Sequence, residues 1–205
     1  MKRRIIAFIL LILIMGTILG YRRAPAESVV LSEYEVTTFA GGCFWCMEAA
    51  FESVDGVVEA ISGYTGGTVV NPTYQKVSRG ETGHLEAVQV YYDPDVVSYG
   101  ELLDVFWMNV DPTDDGGQFV DRGSQYLTAV FYHDEAQRVE AEQSKMLLEA
   151  SGRFDEPVIT GILKFTIFYK AEEYHQDYYK KNVLQYKLYS SGSGRDDFVA
   201  QHWEE

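Results

Sequence analysis

The stretch Val36-Thr37-Thr38-Phe39-Ala40-Gly41-Gly42-Cys43-Phe44-Trp45-Cys46-Met47-Glu48 changes character at its two glycines. Before them, β-branched and aromatic residues read as a short strand over residues 36–40. After them, from Cys43 to about Ser53, few residues are β-branched and good helix formers dominate, so a helix opens at or near Cys43. Strand, sharp turn and helix in that order are the start of a mixed α/β layer. Unpaired N–H groups and the helix dipole favour negative charge at a helix N-terminus, which lowers the pKa of a thiol placed there. Gly41 and Gly42 let the backbone turn and let a substrate approach the sulfur. Cys43 and Cys46 are the only cysteines among 205 residues, too few for a disulfide framework, so the pair reads as chemistry with Cys43 as nucleophile.

Working outward, residues 57–64 alternate like a strand, and residues 65–83 are a long polar loop rich in glycine. Residues 84–92 alternate cleanly, with His84, Glu86 and Val88 on one face and Leu85, Ala87 and Gln89 on the other. Ser98 caps a helix through Asn109, with Glu101 as its capping-box partner. A second polar loop covers residues 111–123, a strand follows over 126–132, and Asp134 caps a helix to about Ala150. Residues 158–169 read as extended with a bend near Gly161. Residues 172–182 read as a short helix, and residues 190–194 as a flexible turn. The central order β-α-β-β-α-β is that of a split β-α-β, ferredoxin-like unit. The expected fold is therefore α+β: a two-layer sandwich with a ferredoxin-like core and long coil segments. Loops of this length in a compact domain are usually functional.

The chain begins differently. Lys2-Arg3-Arg4 precede an uncharged apolar run over residues 5–20, followed by Tyr21-Arg22-Arg23-Ala24-Pro25-Ala26. A basic flank, an apolar stretch and an Ala-x-Ala end describe a signal peptide over residues 1–26, either cleaved or retained as an anchor through residues 5–20. The domain of residues 27–205 is then expected outside the cytoplasm, periplasmic or extracellular. With five basic residues in the leader, twelve remain against thirty-one acidic ones, a formal charge of −19. Such a surface repels nucleic acid and anionic lipid.

The motifs carry a resemblance. Gly41-Gly42-Cys43-Phe44-Trp45-Cys46-Met47-Glu48 resembles the active-site signature of the A-type methionine sulfoxide reductases. The likeness continues at Gly63-Tyr64-Thr65-Gly66-Gly67, Asn71-Pro72-Thr73-Tyr74, Thr82-Gly83-His84-Leu85-Glu86-Ala87-Val88 and Asp111-Pro112-Thr113. It resumes at Asp121-Arg122-Gly123-Ser124-Gln125-Tyr126 and Ala171-Glu172-Glu173-Tyr174-His175-Gln176. It implies the family's two-layer α/β sandwich and thiol-dependent reduction of the S-epimer of methionine sulfoxide, peptide-bound or free. Taken alone, Glu86 reads as a solvated strand glutamate; the resemblance makes it the proton donor, kept neutral by burial. It also implies that Tyr74 and Tyr126 hydrogen-bond the sulfoxide oxygen like an oxyanion hole, and that Asp121 orients a water or donor. Phe44 and Trp45 would wall the pocket for the substrate methyl.

Many family members resolve the resulting sulfenic acid with a cysteine near the C-terminus, and this chain has none beyond Cys46. Cys46 is thus the intramolecular candidate, beside direct reduction by an external thiol. A thioredoxin-like reductant would recycle a Cys43–Cys46 disulfide. No metal or organic cofactor is expected: zinc wants four ligands, and the four histidines show no ligand spacing. A monomer is expected. Of the last motif, Glu172, Glu173 and His175 read as structural and Tyr174 as serving the site. The competing reading is a general thiol–disulfide oxidoreductase using the same cysteine pair.

Overall fold

The computed structural model describes residues 30–203. The leader and its reading as signal or anchor lie outside the described residues. Strand β1 (Glu35–Gly41) extends the predicted strand by a residue at each end and lies inside the sheet. It pairs antiparallel with β3 (Leu85–Tyr92) on one side and with β6 (Thr128–Tyr132) on the other. Strand β2 (Val57–Thr65) pairs antiparallel with the far edge of β3. Helix α1 (Phe44–Glu52) connects β1 to β2, and α3 (Tyr99–Met108) lies between β3 and β6. The strand order β6-β1-β3-β2, antiparallel throughout, forms the centre of a mixed α+β fold.

The alternation of the strands decides which side the helices cover. Phe39, Ala60, Val88, Val90 and Val130 face a core built with Met47 and Phe51 of α1 and with Leu102, Leu103 and Phe106 of α3. Ala141 and Leu148 of α4 (Glu135–Ala150) complete it. Phe39 is fully buried and stacks on Phe51 at 4.8 Å and on Phe106 at 5.3 Å between ring centroids. Removing such a side chain costs roughly 3–5 kcal/mol. The caps read from sequence are in place: the Ser98–Glu101 box opens α3, and Asp134 accepts from the N–H of Gln137 to open α4.

Four expectations need correction. The first long loop contains a short helix, α2 (Tyr74–Val77), and the second contains a ribbon of β4 (Gly117–Gln118) and β5 (Asp121–Arg122). The extended run near Gly161 is two strands at opposite sheet edges. Of these, β7 (Gly161–Lys164) runs parallel beside β6, and β8 (Phe168–Lys170) runs antiparallel beside β2. Tyr126 lies before β6, in a 3-10 turn over Ser124–Tyr126. The tail is largely helical: the short helix expected over residues 172–182 is confined to α5 (Tyr178–Lys181), α6 (Val183–Gly192) takes in the start of the turn expected over residues 190–194, and α7 (Arg195–Trp203) follows.

Buried polar groups anchor that tail. Glu48 of α1, 1 % exposed, accepts from the Ser62 hydroxyl at 2.9 Å and from the N–H of Asp177 at 2.8 Å. Gln176 bonds both backbone groups of Ser62. Helix α5 therefore starts at a fixed place beside α1, and α6 follows it past the cysteine turn. Among the described residues, no helix is long and apolar enough to cross a membrane.

Candidate active site

A cavity of about 150 Å³ opens where β1 ends and α1 begins. Cys43, Phe44, Trp45, Tyr74, Glu86, Asp121 and Tyr126 line it together with Tyr189. Seven of the eight residues expected from sequence therefore converge, and Cys46 lies buried on the next turn of α1. A larger hollow of about 350 Å³ on the opposite sheet face, lined by Leu85, Ala129 and Phe131 among others, holds no thiol or histidine.

Cys43 is the N-cap of α1, placed there by Gly42 at φ +80°, a conformation that suits only glycine. The space gained by the diglycine is used for packing. A Cβ on Gly41 would stand 2.6 Å from Met47 Sδ, and one on Gly42 2.6 Å from Gln118 Cβ. The turn is thus closed by protein and does not serve as an approach for substrate.

Glu86 lies opposite Tyr64 in the β2–β3 register, on the face it shares with His84 and Val88 as the alternation predicted, and that face is buried, not solvated as the residue alone suggested. It is 2 % exposed, and burial pushes its pKa up to about 8, only partly offset by the Phe44 N–H that donates to Oε2 at 3.2 Å. One carboxyl oxygen is thus held as an acceptor, and the other is left to carry the proton. Asp121 and Cys46 push in the same direction as burial.

Tyr74 opens α2, with its N–H donated to Glu172 Oε1 at 2.9 Å and its ring 4.4 Å from that of His175. Burial first, then Glu86, raises its phenol to about 12. The phenol of Tyr126 is raised for the same two reasons, so both remain hydrogen-bond donors at any physiological pH. Gln125 ties their loops together by donating to the Ser78 carbonyl at 2.8 Å. Asp121 accepts a hydrogen bond from the Tyr189 hydroxyl. What it orients is therefore a phenol of α6.

Phe44 is 1 % exposed, packed among Tyr64, Tyr74 and His175, and presents its ring to the cavity. Trp45 stacks flat on Tyr178 at 3.8 Å and donates from Nε1 to His175 Nδ1 at 3.1 Å. Burial lowers His175 to about 4, so the imidazole is neutral and its Nδ1, as the acceptor, fixes the indole. Glu172 accepts from the Tyr64 hydroxyl at 2.9 Å as well as from Tyr74. These two residues of the last motif hold others in place, as expected. Tyr174 is 54 % exposed, rests on His175 at the rim and does not line the cavity.

The order of the two thiols is the reverse of the sequence expectation. Desolvation, with no compensating cation in contact, raises Cys43 well above its ordinary value. Cys46 is brought down to about 7, chiefly by the neighbouring Cys43 thiol, with Arg195 and Tyr186 assisting against burial and Asp121. The two thiols titrate as a coupled pair, Cys43 pushed up by burial and Cys46 pulled down by its neighbours. A helix N-terminus alone does not overcome burial of this extent. Tyr186, Tyr189 and Arg195 were not found by sequence reasoning. Their only signal is a tyrosine pair at helical spacing followed by a lone arginine.

A family model described as "Peptide methionine sulfoxide reductase" matches residues 35–205. The peptide methionine sulfoxide reductase MsrA of Bacillus licheniformis is 54% identical over 169 residues, covering 82% of this chain and 93% of the relative. Mxr1 from Saccharomyces cerevisiae in its reduced form superposes with a TM-score of 0.69 at 32% identity, covering 78% of this chain and 88% of that one. Mxr1 in complex with Trx2 gives a TM-score of 0.51 at 25% identity, covering 78% and 90%. A match that runs from β1 past α7 favours this family over a general thiol–disulfide oxidoreductase that shares only the cysteine pair.

Proposed function

The chain belongs to the peptide methionine sulfoxide reductase family, and on that premise we propose that it reduces the S-epimer of methionine sulfoxide, peptide-bound or free, through Cys43. The observation that carries this reading is the convergence of a thiol, a carboxyl raised to about 8 and two phenol donors on one small cavity with an aromatic wall. Oxygen leaves a sulfoxide poorly unless a proton arrives with it, and this constellation supplies one.

The roles follow from position. Moving the Cys43 proton to Cys46 frees Cys43 as thiolate. Cys43 then attacks the sulfoxide sulfur while Glu86 protonates the oxygen, which passes to the Cys43 sulfur as the sulfide leaves. Tyr74 and Tyr126 donate to that oxygen as charge builds on it. The sulfide departs as methionine and Cys43 is left as sulfenic acid, oxidised by the two electrons the substrate gained. Phe44 and Trp45 receive the methyl, and a single aromatic wall admits one epimer. Cys46 closes the cycle by forming a disulfide with Cys43.

The reductant is a thioredoxin-like dithiol, a reading supported by the complex of the similar yeast protein with Trx2. The basic and apolar leader supports export, with the enzyme repairing oxidised protein outside the cytoplasm as a monomer. Assaying both sulfoxide epimers with dithiothreitol tests the function directly. Turnover of the S-epimer alone, lost in Cys43→Ser, is expected; equal rates on both epimers contradict it.

A further inference from the structure

Arg195 opens α7 and is 4 % exposed. A guanidinium cannot shed its charge inside a protein, so burying it demands an anion or a full set of acceptors. Its acceptors here are neutral. Nη1 donates to the Asn109 carbonyl and lies 3.6 Å from Met47 Sδ, and Nη2 donates to the Gly41 carbonyl at 3.0 Å. Nε is buried with no partner at all. Among the described residues, the ion pairs engage Arg122, Arg138, Lys170, Lys180 and Lys181, and none engages Arg195. Asp121 feels its charge, but that carboxylate is occupied by the Tyr189 hydroxyl.

The surroundings hold the guanidinium against the cysteine turn. Nη2 lies 3.5 Å from where a Cβ on Gly42 would stand. The Phe119 ring faces the guanidinium at 4.8 Å, from a residue at φ +56°, a backbone state that a bulky side chain adopts only under constraint. A cation built in at this cost, with no carboxylate, points to an anion that exists only in the chemistry of the site.

We propose that Arg195 is a positioning residue for the resolving step: its buried charge holds Cys46 as the thiolate that attacks the sulfenic acid on Cys43. The assignment rests on the reductase reading above. In this step the Cys46 sulfur forms a bond to the Cys43 sulfur and the S–O bond breaks. The oxygen leaves as hydroxide and takes a proton from solvent to become water. The substrate's oxidising equivalent ends in the disulfide.

The charged and titratable groups that act on Cys46 are Cys43 of its own turn, Tyr186 of α6, Arg195 of α7 and Asp121 of β5, and its charge is felt by Glu86 of β3. The Cys43 S–H, Arg195 and the Tyr186 hydroxyl favour the thiolate, whereas burial and Asp121 oppose it. Arg195 is the only full positive charge among them. Because it lowers the proton affinity of Cys46, it favours resolution and does not help Cys46 accept the proton of Cys43. Its loss therefore acts on disulfide formation more than on methionine release.

The test is a thiolate titration by ultraviolet absorbance in Cys43→Ser, which leaves Cys46 as the sole thiol. The expected midpoint lies below the ~8.5 of a free cysteine. Adding Arg195→Met should raise it by about one unit, a tenfold loss of thiolate near neutrality, and Arg195→Lys should restore most of it. In the two-cysteine protein at neutral pH, Arg195→Met should slow disulfide formation about tenfold more than it slows methionine release. A midpoint at or above ~8.5 with Arg195 intact overturns the proposal even if Arg195→Met does not fold. So does a midpoint that Arg195→Met leaves in place, or equal slowing of both steps. The titration uses no substrate, so its failure is distinct from failure of the reductase reading. Absence of methionine release from either epimer in the wild type marks the latter and removes the resolving role with it.

Discussion

Glu86 ties the pH behaviour of the reaction to that of the fold. In the proposed mechanism its proton is needed for the first step, so methionine release in a single turnover should fall about tenfold per unit as pH rises beyond about 8. Glu86→Gln should slow release by about 10²-fold or more and abolish that alkaline limb. Stability moves the other way. A folded pKa raised above the unfolded ~4.3 means the folded state holds the extra proton, and stability is lost as pH rises towards about 8. Glu86→Gln should therefore be more stable than wild type at pH ~8.5 by up to roughly 5 kcal/mol and lose that advantage near pH ~4, as thermal melts at the two pH values would read. Melts that change equally at both pH values would contradict the raised pKa. Tyr74→Phe and Tyr126→Phe should each cost about 10–100-fold in release with the S-epimer. The alternation of β3 made the facing of Glu86 legible from sequence, whereas its protonation was not, because it depends on what α1 and the loops place over it. Tyr189 and Arg195 were illegible for a related reason: each acts through a tertiary contact some 70 or 150 residues away in sequence, with Asp121 and Gly41.

Helix α1 and the tail helices act as one unit around the thiols, and Glu48 is the link. Its carboxyl joins Ser62 to the N–H of Asp177, just before α5. Glu48→Ala leaves both donors unpaired in a buried place, at a cost of roughly 1–3 kcal/mol each. Limited proteolysis should then cut first within residues 177–203, and alkylation of Cys46 should accelerate; unchanged protection would mean that the tail is held by other contacts. At this scale the sequence was readable wherever a period or a cap spoke. The β-α-β-β-α-β order, the Ser98–Glu101 box and the Asp134 cap all have local causes. The run of residues 158–169 was not readable as two strands, because a run of extended residues does not say which sheet edge each half will join. Helix α2 spans one turn, too short for any hydrophobic period. In α6 the apolar residues Leu184 and Leu188 point outward while Tyr186 and Tyr189 face the thiols, which hides the usual amphipathic pattern.

For the whole molecule, an acidic body behind a basic, apolar leader fits a protein that works outside the cytoplasm. A C-terminal fusion to a reporter enzyme active only outside should be active, and a reporter active only inside would reverse the proposed topology. The proposed chemistry reduces to one balance: one sulfoxide in, one methionine and one water out, and two thiols joined. Cys46→Ser should release one equivalent of methionine and then stall with a thioredoxin as sole donor, while dithiothreitol, small enough to reach the sulfenic acid, restores turnover. The most direct measurement is a stoichiometric reaction of the reduced wild type with each sulfoxide epimer, without reductant, followed by intact-mass and peptide-mass analysis. The account predicts one methionine per enzyme from the S-epimer only, and a protein two hydrogens lighter carrying a Cys43–Cys46 disulfide. Methionine from both epimers alike, or a persistent sulfenic acid in a wild type that still cycles with a thioredoxin, would contradict it.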